Sequence, residues 1–273
     1  MTYSLVARDA VTGELGVAVQ SRSFGTGRVV PWAEAGIGAV ATQSFTLPSY
    51  GPDGLALLRE GIAPAAALAE LTAKDDLRDF RQVGIIDAAG RTANHTGSAC
   101  VPSTGFVAGP GYSAQGNMLD GDGVIPALSE GFERANGPLA ERLLAGLDAA
   151  QAAGGDFRGC EAGAILVVGA DGPVSDVRVD NHLDPLGELR RLLRMEQALR
   201  SLRRAGDDEL DEAADEARAA GIDDDVLRWV AAVGLLARDP EAARSWLAPL
   251  AERDGRWSTA LDRAGELLAR SDA

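Results

Sequence analysis

Lysine is almost missing from this chain. Lys74 is the one lysine among 26 basic residues, so a lysine acting as general base has a single available position. Histidine and cysteine are as sparse, with two of each: His95, His182, Cys100 and Cys160. No Cys/His grouping has zinc-site spacing, so neither a metal nor another cofactor is expected. Two cysteines in 273 residues are too few for a disulfide framework, which points to a reducing, cytoplasmic compartment. The strongest apolar run, residues 162–168, falls far short of the roughly 18 to 20 residues of a membrane span. Residues 1–9 hold neither a basic n-region nor an apolar h-region, so no secretory signal is expected. Positive charge is in deficit: 26 basic against 41 acidic residues leave −15, which argues against nucleic acid and anionic membrane surfaces as partners.

What is present suits a folded, mixed chain, 46% hydrophobic and long enough for one large domain or two unequal ones. Residues 3–10 and 14–20 are apolar, β-branched runs joined by Ala10-Val11-Thr12-Gly13, where Gly13 can supply the positive φ of a hairpin turn. Residues 37–43 read as a further strand, and 82–87 with 91–95 as a second hairpin about Ala88-Ala89-Gly90. A third spans 163–179 about Ala170-Asp171-Gly172-Pro173. Helical spacing occupies 52–60, with Pro52 in the first turn, then 64–72, 124–134 and 139–152; the last aligns Leu139, Leu143, Leu144 and Leu147 to pack on a sheet. Residues 96–123, rich in Gly, Ser and Pro, read as loops and short strands. Beyond residue 184 only helical patterns follow, at 185–204, 210–220, 224–238, 240–253 and 259–270, and residues 237–246 onward resemble one tetratricopeptide-type helix hairpin. The acidic clusters Asp207-Asp208-Glu209 and Asp223-Asp224-Asp225 read as helix caps and solvated surface, and Trp32, Trp229, Trp246 and Trp257 as packing. The expected fold class is α+β, with antiparallel sheets covered by helices in residues 1–203 and a helical C-terminal region over 204–273.

The position with most chemistry is Thr2. Initiator methionine is usually excised before a small residue, and threonine would then begin a β-strand with its hydroxyl beside its own α-amine. That amine, with an unperturbed pKa of about 7.7 to 8.0, is poised to take the hydroxyl proton.

The runs Tyr3-Ser4-Leu5-Val6-Ala7-Arg8-Asp9, Thr12-Gly13-Glu14-Leu15-Gly16-Val17-Ala18-Val19-Gln20-Ser21-Arg22, Val30-Pro31-Trp32-Ala33 and Gly36-Ile37-Gly38-Ala39-Val40-Ala41-Thr42-Gln43 resemble a prokaryotic family catalogued as domain of unknown function 1028. So do Tyr50-Gly51-Pro52, Arg81-Gln82-Val83-Gly84, His95-Thr96-Gly97, Gly111-Tyr112-Ser113-Ala114-Gln115-Gly116-Asn117-Met118-Leu119 and Ala153-Gly154-Gly155-Asp156, and the likeness covers about residues 2–183. The resemblance implies an Ntn-hydrolase-like fold: a four-layer αββα sandwich whose first strand presents its N-terminus in a cleft between two antiparallel sheets. By analogy it also implies a homo-oligomer, at least a dimer. Gln20-Ser21-Arg22 stands near where proteasome-type relatives place Asp-Ser-Arg, with glutamine in place of the aspartate. Those relatives use a lysine beside the nucleophile; Lys74, in a polar segment after a helix, leaves that task to the α-amine, with Arg22 as electrostatic partner. Arg158-Gly159-Cys160-Glu161-Ala162-Gly163 departs from the Arg-Gly-Arg-Gln-Ser-Ala often found in that segment.

The candidate catalytic residues are therefore Thr2, Arg22 and Asn117, the last as an oxyanion donor in the turn Gln115-Gly116-Asn117. Ser21, Gln43, His95, Gln115 and Asp156 are candidate substrate contacts; His95 could shuttle a proton or sit bonded to backbone, and Asp156 could orient an ammonium or cap a loop. Cys100, five residues after His95, reads more readily as a small buried hydrophobe than as a nucleophile. The leading expectation is an amidohydrolase acting on a small-molecule C–N bond. The competing one is a non-catalytic sandwich used for binding, with the C-terminal helices as an interaction arm.

Overall fold

The computed structural model describes residues 2–206 and 209–271, and the chain divides into two units, Met1–Arg190 and Arg191–Ala273. In the first unit, period-two alternation builds ten strands: β1 (Thr2–Arg8), β2 (Leu15–Ser21), β3 (Pro31–Glu34), β4 (Gly38–Ser44), β5 (Arg81–Asp87), β6 (Thr92–Thr96), β7 (Gly105–Gly109), β8 (Tyr112–Asn117), β9 (Ala162–Gly169) and β10 (Gly172–Val179). They form two antiparallel sheets, one ordered β10-β9-β2-β1-β8-β7 and the other β3-β4-β5-β6. The helices of this unit are α1 (Tyr50–Arg59), α2 (Pro64–Ala73), α3 (Val124–Arg134), α4 (Leu139–Ala152) and the start of α5 (Pro185–Arg204).

β1 lies inside the six-stranded sheet, paired to β2 on one side and β8 on the other. Its residues divide by parity. Val6 clusters with Ala39, Ala41 and Ile86 of the four-stranded sheet, together with Val17 and Val19 of β2, so the two sheets share an apolar layer. Tyr3 points the other way and donates its hydroxyl to Gln151 of α4 at 3.1 Å. α4 packs on β1, β2 and β9 through Leu139, Leu143, Leu144 and Leu147, all buried, while α3 covers β7 and β8. On the other sheet, Val40, Val83 and Ile85 meet Leu55 and Leu58 of α1 and Leu68 and Leu71 of α2.

The second unit takes the rest of α5, then α6 (Leu210–Ala219), α7 (Asp224–Leu235), α8 (Pro240–Arg253) and α9 (Arg256–Ser271). Asp223 caps α7 by accepting from the Asp225 amide; Asp239 does the same for Glu241 and Ala242 at the start of α8, where Pro240 occupies the first turn. Arg253 pairs with Asp225, and Arg228 donates to the Trp246 carbonyl, contacts that set α7 and α8 antiparallel. Trp229, Trp246 and Trp257 pack against the alanine- and leucine-rich core of this unit. Asp207 and Asp208 lie outside the described residues.

Strand and helix positions follow the pattern of the sequence closely, and the differences are few. Residues 112–117, in a stretch expected to hold loops and short strands, form the buried strand β8 between β1 and β7 of the larger sheet. Pro31–Glu34 is an edge strand, β3, in the smaller one. α1 begins at Tyr50, two residues earlier than Pro52 would suggest, and α9 begins at Arg256. No described helix is long and apolar enough to cross a membrane.

Candidate functional site

Thr2 opens β1, and the register sets it opposite both Ser21 at the end of β2 and Asn117 at the end of β8. Directly paired residues project to the same side of a sheet, so the three side chains share the face turned to the smaller sheet. Thr2 is buried, at 6% exposure, and its hydroxyl donates to Ser21 Oγ at 3.1 Å. Ser21 Oγ also accepts the Ser23 amide at 3.1 Å, which orders the chain leaving β2.

Facing them across the gap are Gln43 of β4 and Gln82 of β5, themselves register partners and fully buried. The amide orientations are fixed in sequence. Gln82 Nε2 donates to the Gly116 carbonyl at 2.9 Å and to that of Gly105 at 3.1 Å, which turns its Oε1 outward. That oxygen accepts from Gln43 Nε2 at 2.8 Å and from Asn117 Nδ2 at 3.0 Å. The same two nitrogens hold the Thr2 carbonyl, at 3.2 Å from Gln43 and 3.5 Å from Asn117. Gln43 Oε1 and Asn117 Oδ1 are left buried with no protein partner, two acceptors beside the first residue of β1. The residues after these two amides, Ser44 and Met118, take positive φ of 71° and 58°, a conformation costing non-glycine residues about 1 kcal/mol or more. Gln82 is the member that sequence reasoning missed; an amide in an otherwise apolar strand, on its sheet-facing parity, was the available signal.

The remaining expected site residues distribute unevenly. Gln115 is two residues deeper on the same face and ties the sheets together, donating to Ser4 Oγ at 3.3 Å and to the Ala41 carbonyl at 3.0 Å. Asp156 has a fully buried side chain that accepts the Arg22 amide at 3.1 Å and the Arg158 guanidinium at 3.2 Å, binding two loops behind Ser21. Arg22 thus joins the cluster through its backbone; its guanidinium is half-exposed and paired with Glu161 at 3.3 Å. Asn117 spends both described donor contacts on Gln82 and on Thr2 itself, a positioning arrangement rather than an open oxyanion donor.

His95 is the register partner of Val83, whose side chain packs toward α1 and α2, so His95 lies on the face of the smaller sheet turned away from Thr2. Its Nε2 is 2.8 Å from the Arg78 carbonyl. Cys100 is buried and donates to the Arg81 carbonyl at 3.3 Å. Lys74 is exposed and paired with Glu70 at 2.7 Å, away from the cluster. Behind the larger sheet, burial foremost and then the negative potential of Asp156 and Asp184 push the Cys160 thiol up to about 12, while Gln20 and Arg22 act in the opposite sense. Burial, then Cys160, Asp156 and Asp148, raise the Tyr3 phenol well above its ordinary range. Among the described residues no three His, Cys, Asp or Glu side chains converge as metal ligands.

Residues 2–189 match the model of a family described as a family of unknown function, DUF1028. A solved structure from Silicibacter pomeroyi, described as a protein of that same family, is 32% identical, with a TM-score of 0.68 over 80% of this chain and 93% of its own. Anbu, an ancestral beta-subunit from Yersinia bercovieri, shares 11% identity at a TM-score of 0.35 over 70% of this chain and 92% of its own. No curated protein matches the sequence. By the family match and the Silicibacter relative, the chain belongs to the DUF1028 family.

Proposed function

We propose that the two sheets and their helices are the αββα sandwich of N-terminal-nucleophile hydrolases, and that Thr2, with residue 1 removed, cleaves a small amide-type C–N bond. The observation that carries this reading is the treatment of Thr2: the first residue of a central strand, hydroxyl on Ser21 and carbonyl gripped by Gln43 and Asn117. A terminal strand residue with no task has no need of buried amides aimed at its carbonyl, since each such group must be desolvated. In the reaction the α-amine takes the Oγ1 proton, Oγ1 attacks the amide carbon, and the C–N bond breaks as the amine leaves with that proton. Water then hydrolyses the Thr2 ester and frees the acid. The two orphan oxygens, Gln43 Oε1 and Asn117 Oδ1, suit the N–H groups of an α-amine or of a bound amide.

The test is intact mass together with turnover of an amide panel by the wild type, Thr2→Ser and Thr2→Ala. A mass short by one methionine, activity retained in part by serine, and a loss of at least about a thousandfold in alanine are expected. Retained Met1 with identical trace rates in all three would sink the hydrolase. It would favour the non-catalytic reading, which has its own support in the charge-free surroundings of Thr2: among the described contacts, every partner of its side chain and carbonyl is a hydroxyl or a carboxamide.

A further inference from the structure

We propose that the mouth of the Thr2 cleft receives an uncharged, apolar acyl group, so that the substrate is an N-acyl amide with an aliphatic or aryl chain. This rests on the reading of Thr2 as nucleophile. The chain has six phenylalanines, and only Phe132 is buried, at 3% exposure. Phe24, Phe45, Phe80 and Phe157 stand 67, 57, 40 and 57% exposed. Large apolar groups left in water at one place mark a binding surface more often than chance.

Their place is set by the strands. Thr2, Ser21 and Asn117 share one end of the larger sheet, Ser44 and Arg81 share the matching end of the smaller, and Gln43 bridges the two at Thr2. Phe24 follows Ser23, whose amide rests on Ser21 Oγ. Phe45 is two residues past Gln43, and Phe80 two before Gln82. The rings of Phe45 and Phe80 meet edge to face, 5.7 Å apart. Phe157 adjoins Asp156, which holds the Arg22 amide. Phe24, Phe45 and Phe80 therefore stand one or two residues from groups that touch Thr2, Ser21, Gln43 or Asn117, and Phe157 one residue from the carboxylate that holds the Arg22 amide.

Three of the five arginines in the same loops are already engaged, while Arg28 and Arg78 are exposed with no ion pair among the described residues. Arg22 is paired with Glu161 at 3.3 Å, Arg81 with Asp75 at 2.8 Å and Arg158 with Asp156 at 3.2 Å. With three of these cations neutralised and four phenyl rings exposed in the same loops, an apolar acyl group meets the larger complementary surface there. A second copy of the chain is the other candidate occupant. Each copy carries −15, so pressing two such faces together works against charge, whereas a neutral acyl chain meets no such opposition.

The experiment is calorimetric titration of the full-length protein with N-acetyl-, N-succinyl-, N-hexanoyl- and N-benzoyl-glycinamide, repeated on Phe45→Ser and Phe157→Ser, with turnover and sedimentation followed on the same samples. Hexanoyl adds four methylenes to acetyl; half-buried, they predict about tenfold tighter binding. Benzoyl should follow hexanoyl, succinyl should bind no better than acetyl, and each serine variant should compress the hexanoyl-to-acetyl ratio. Equal affinities, absence of binding across the panel, or a preference for succinyl would overturn the proposal. So would an oligomer that the serine variants dissociate while the acyl preference stays unchanged. An apolar preference without turnover of any compound would support the acyl site and remove the hydrolase reading instead, so the two failures are distinguishable.

Discussion

Replacing Gln82 with methionine tests whether the buried amide cluster holds the end of β1 in place. Methionine is close in volume and leaves the packing nearly intact, so the effect isolates the hydrogen bonds. Gln43 Nε2 and Asn117 Nδ2 each lose one of two acceptors, and the Gly105 carbonyl loses a donor; the Gly116 carbonyl keeps Thr104 Oγ1 at 3.0 Å. Two of these three groups keep another partner, so the low end of the about 1–3 kcal/mol for a stranded buried group applies, about 1.5 kcal/mol each; less about 1 kcal/mol returned by the apolar side chain, the net cost is about 3–4 kcal/mol. This is a large part of the ~5–15 kcal/mol that holds a domain together. Amide exchange followed by mass spectrometry on peptides from β1, β2 and β8 should accelerate by about 10²–10³ under conditions where opening is in fast equilibrium. Acceleration below about fivefold would show that the cluster contributes almost nothing and that the amides are held by packing alone.

Three further outcomes are expected. A Cβ added at Gly51 would fall 2.2–2.4 Å from the Trp32 indole, which is tethered by its Nε1 to the Val29 carbonyl; Gly51→Ala should lower stability by about 2 kcal/mol, read as a drop in urea midpoint, and an unchanged midpoint refutes the clash. The Arg81 guanidinium, with the Leu77 amide and the Tyr50 hydroxyl, holds the Asp75 carboxyl below its usual range against burial. A depressed folded pKa stabilises above the unfolded value of about 3.9 and is lost as pH falls through the folded one, so the stability gap between wild type and Asp75→Asn should narrow progressively as pH falls below that unfolded value. With its thiol pushed up to about 12, Cys160 should alkylate with iodoacetamide at pH 8 at least about a hundredfold more slowly than in urea; equal rates would contradict the burial.

The hairpins were legible because their grammar is local: Gly13 and Gly90 take the positive φ, 75° and 81°, that the turns between apolar runs require. α3 and α4 were legible through one apolar face each. β8 was legible only as an unplaced short strand in a Gly-, Ser- and Pro-rich stretch, since Ser113, Gln115 and Asn117 occupy its inward parity and buried polar residues give no apolar alternation by which to bound it. The candidate site divides on the same line. Thr2, Ser21, Gln43 and Asn117 come together because they end neighbouring strands, a relation that register sets and composition hints at. His95 and the Arg22 guanidinium carry suitable chemistry, but strand parity turns the first away from Thr2 and Glu161 engages the second. Gln82 carries no such chemical signal in the sequence, because a neutral amide advertises no reaction, although it fixes the orientation of two others.

Gln43, Gln82 and Asn117 neither gain nor lose a proton across the range in which the protein would work, and the hydroxyl of Ser21 is equally inert. The frame around Thr2 is therefore blind to acidity: its geometry should be the same at pH 5 as at pH 9. On the proposed reading, any pH profile of this centre would report the α-amine and the bound ligand, and a single ionisation in the rate would be read without correction for the walls.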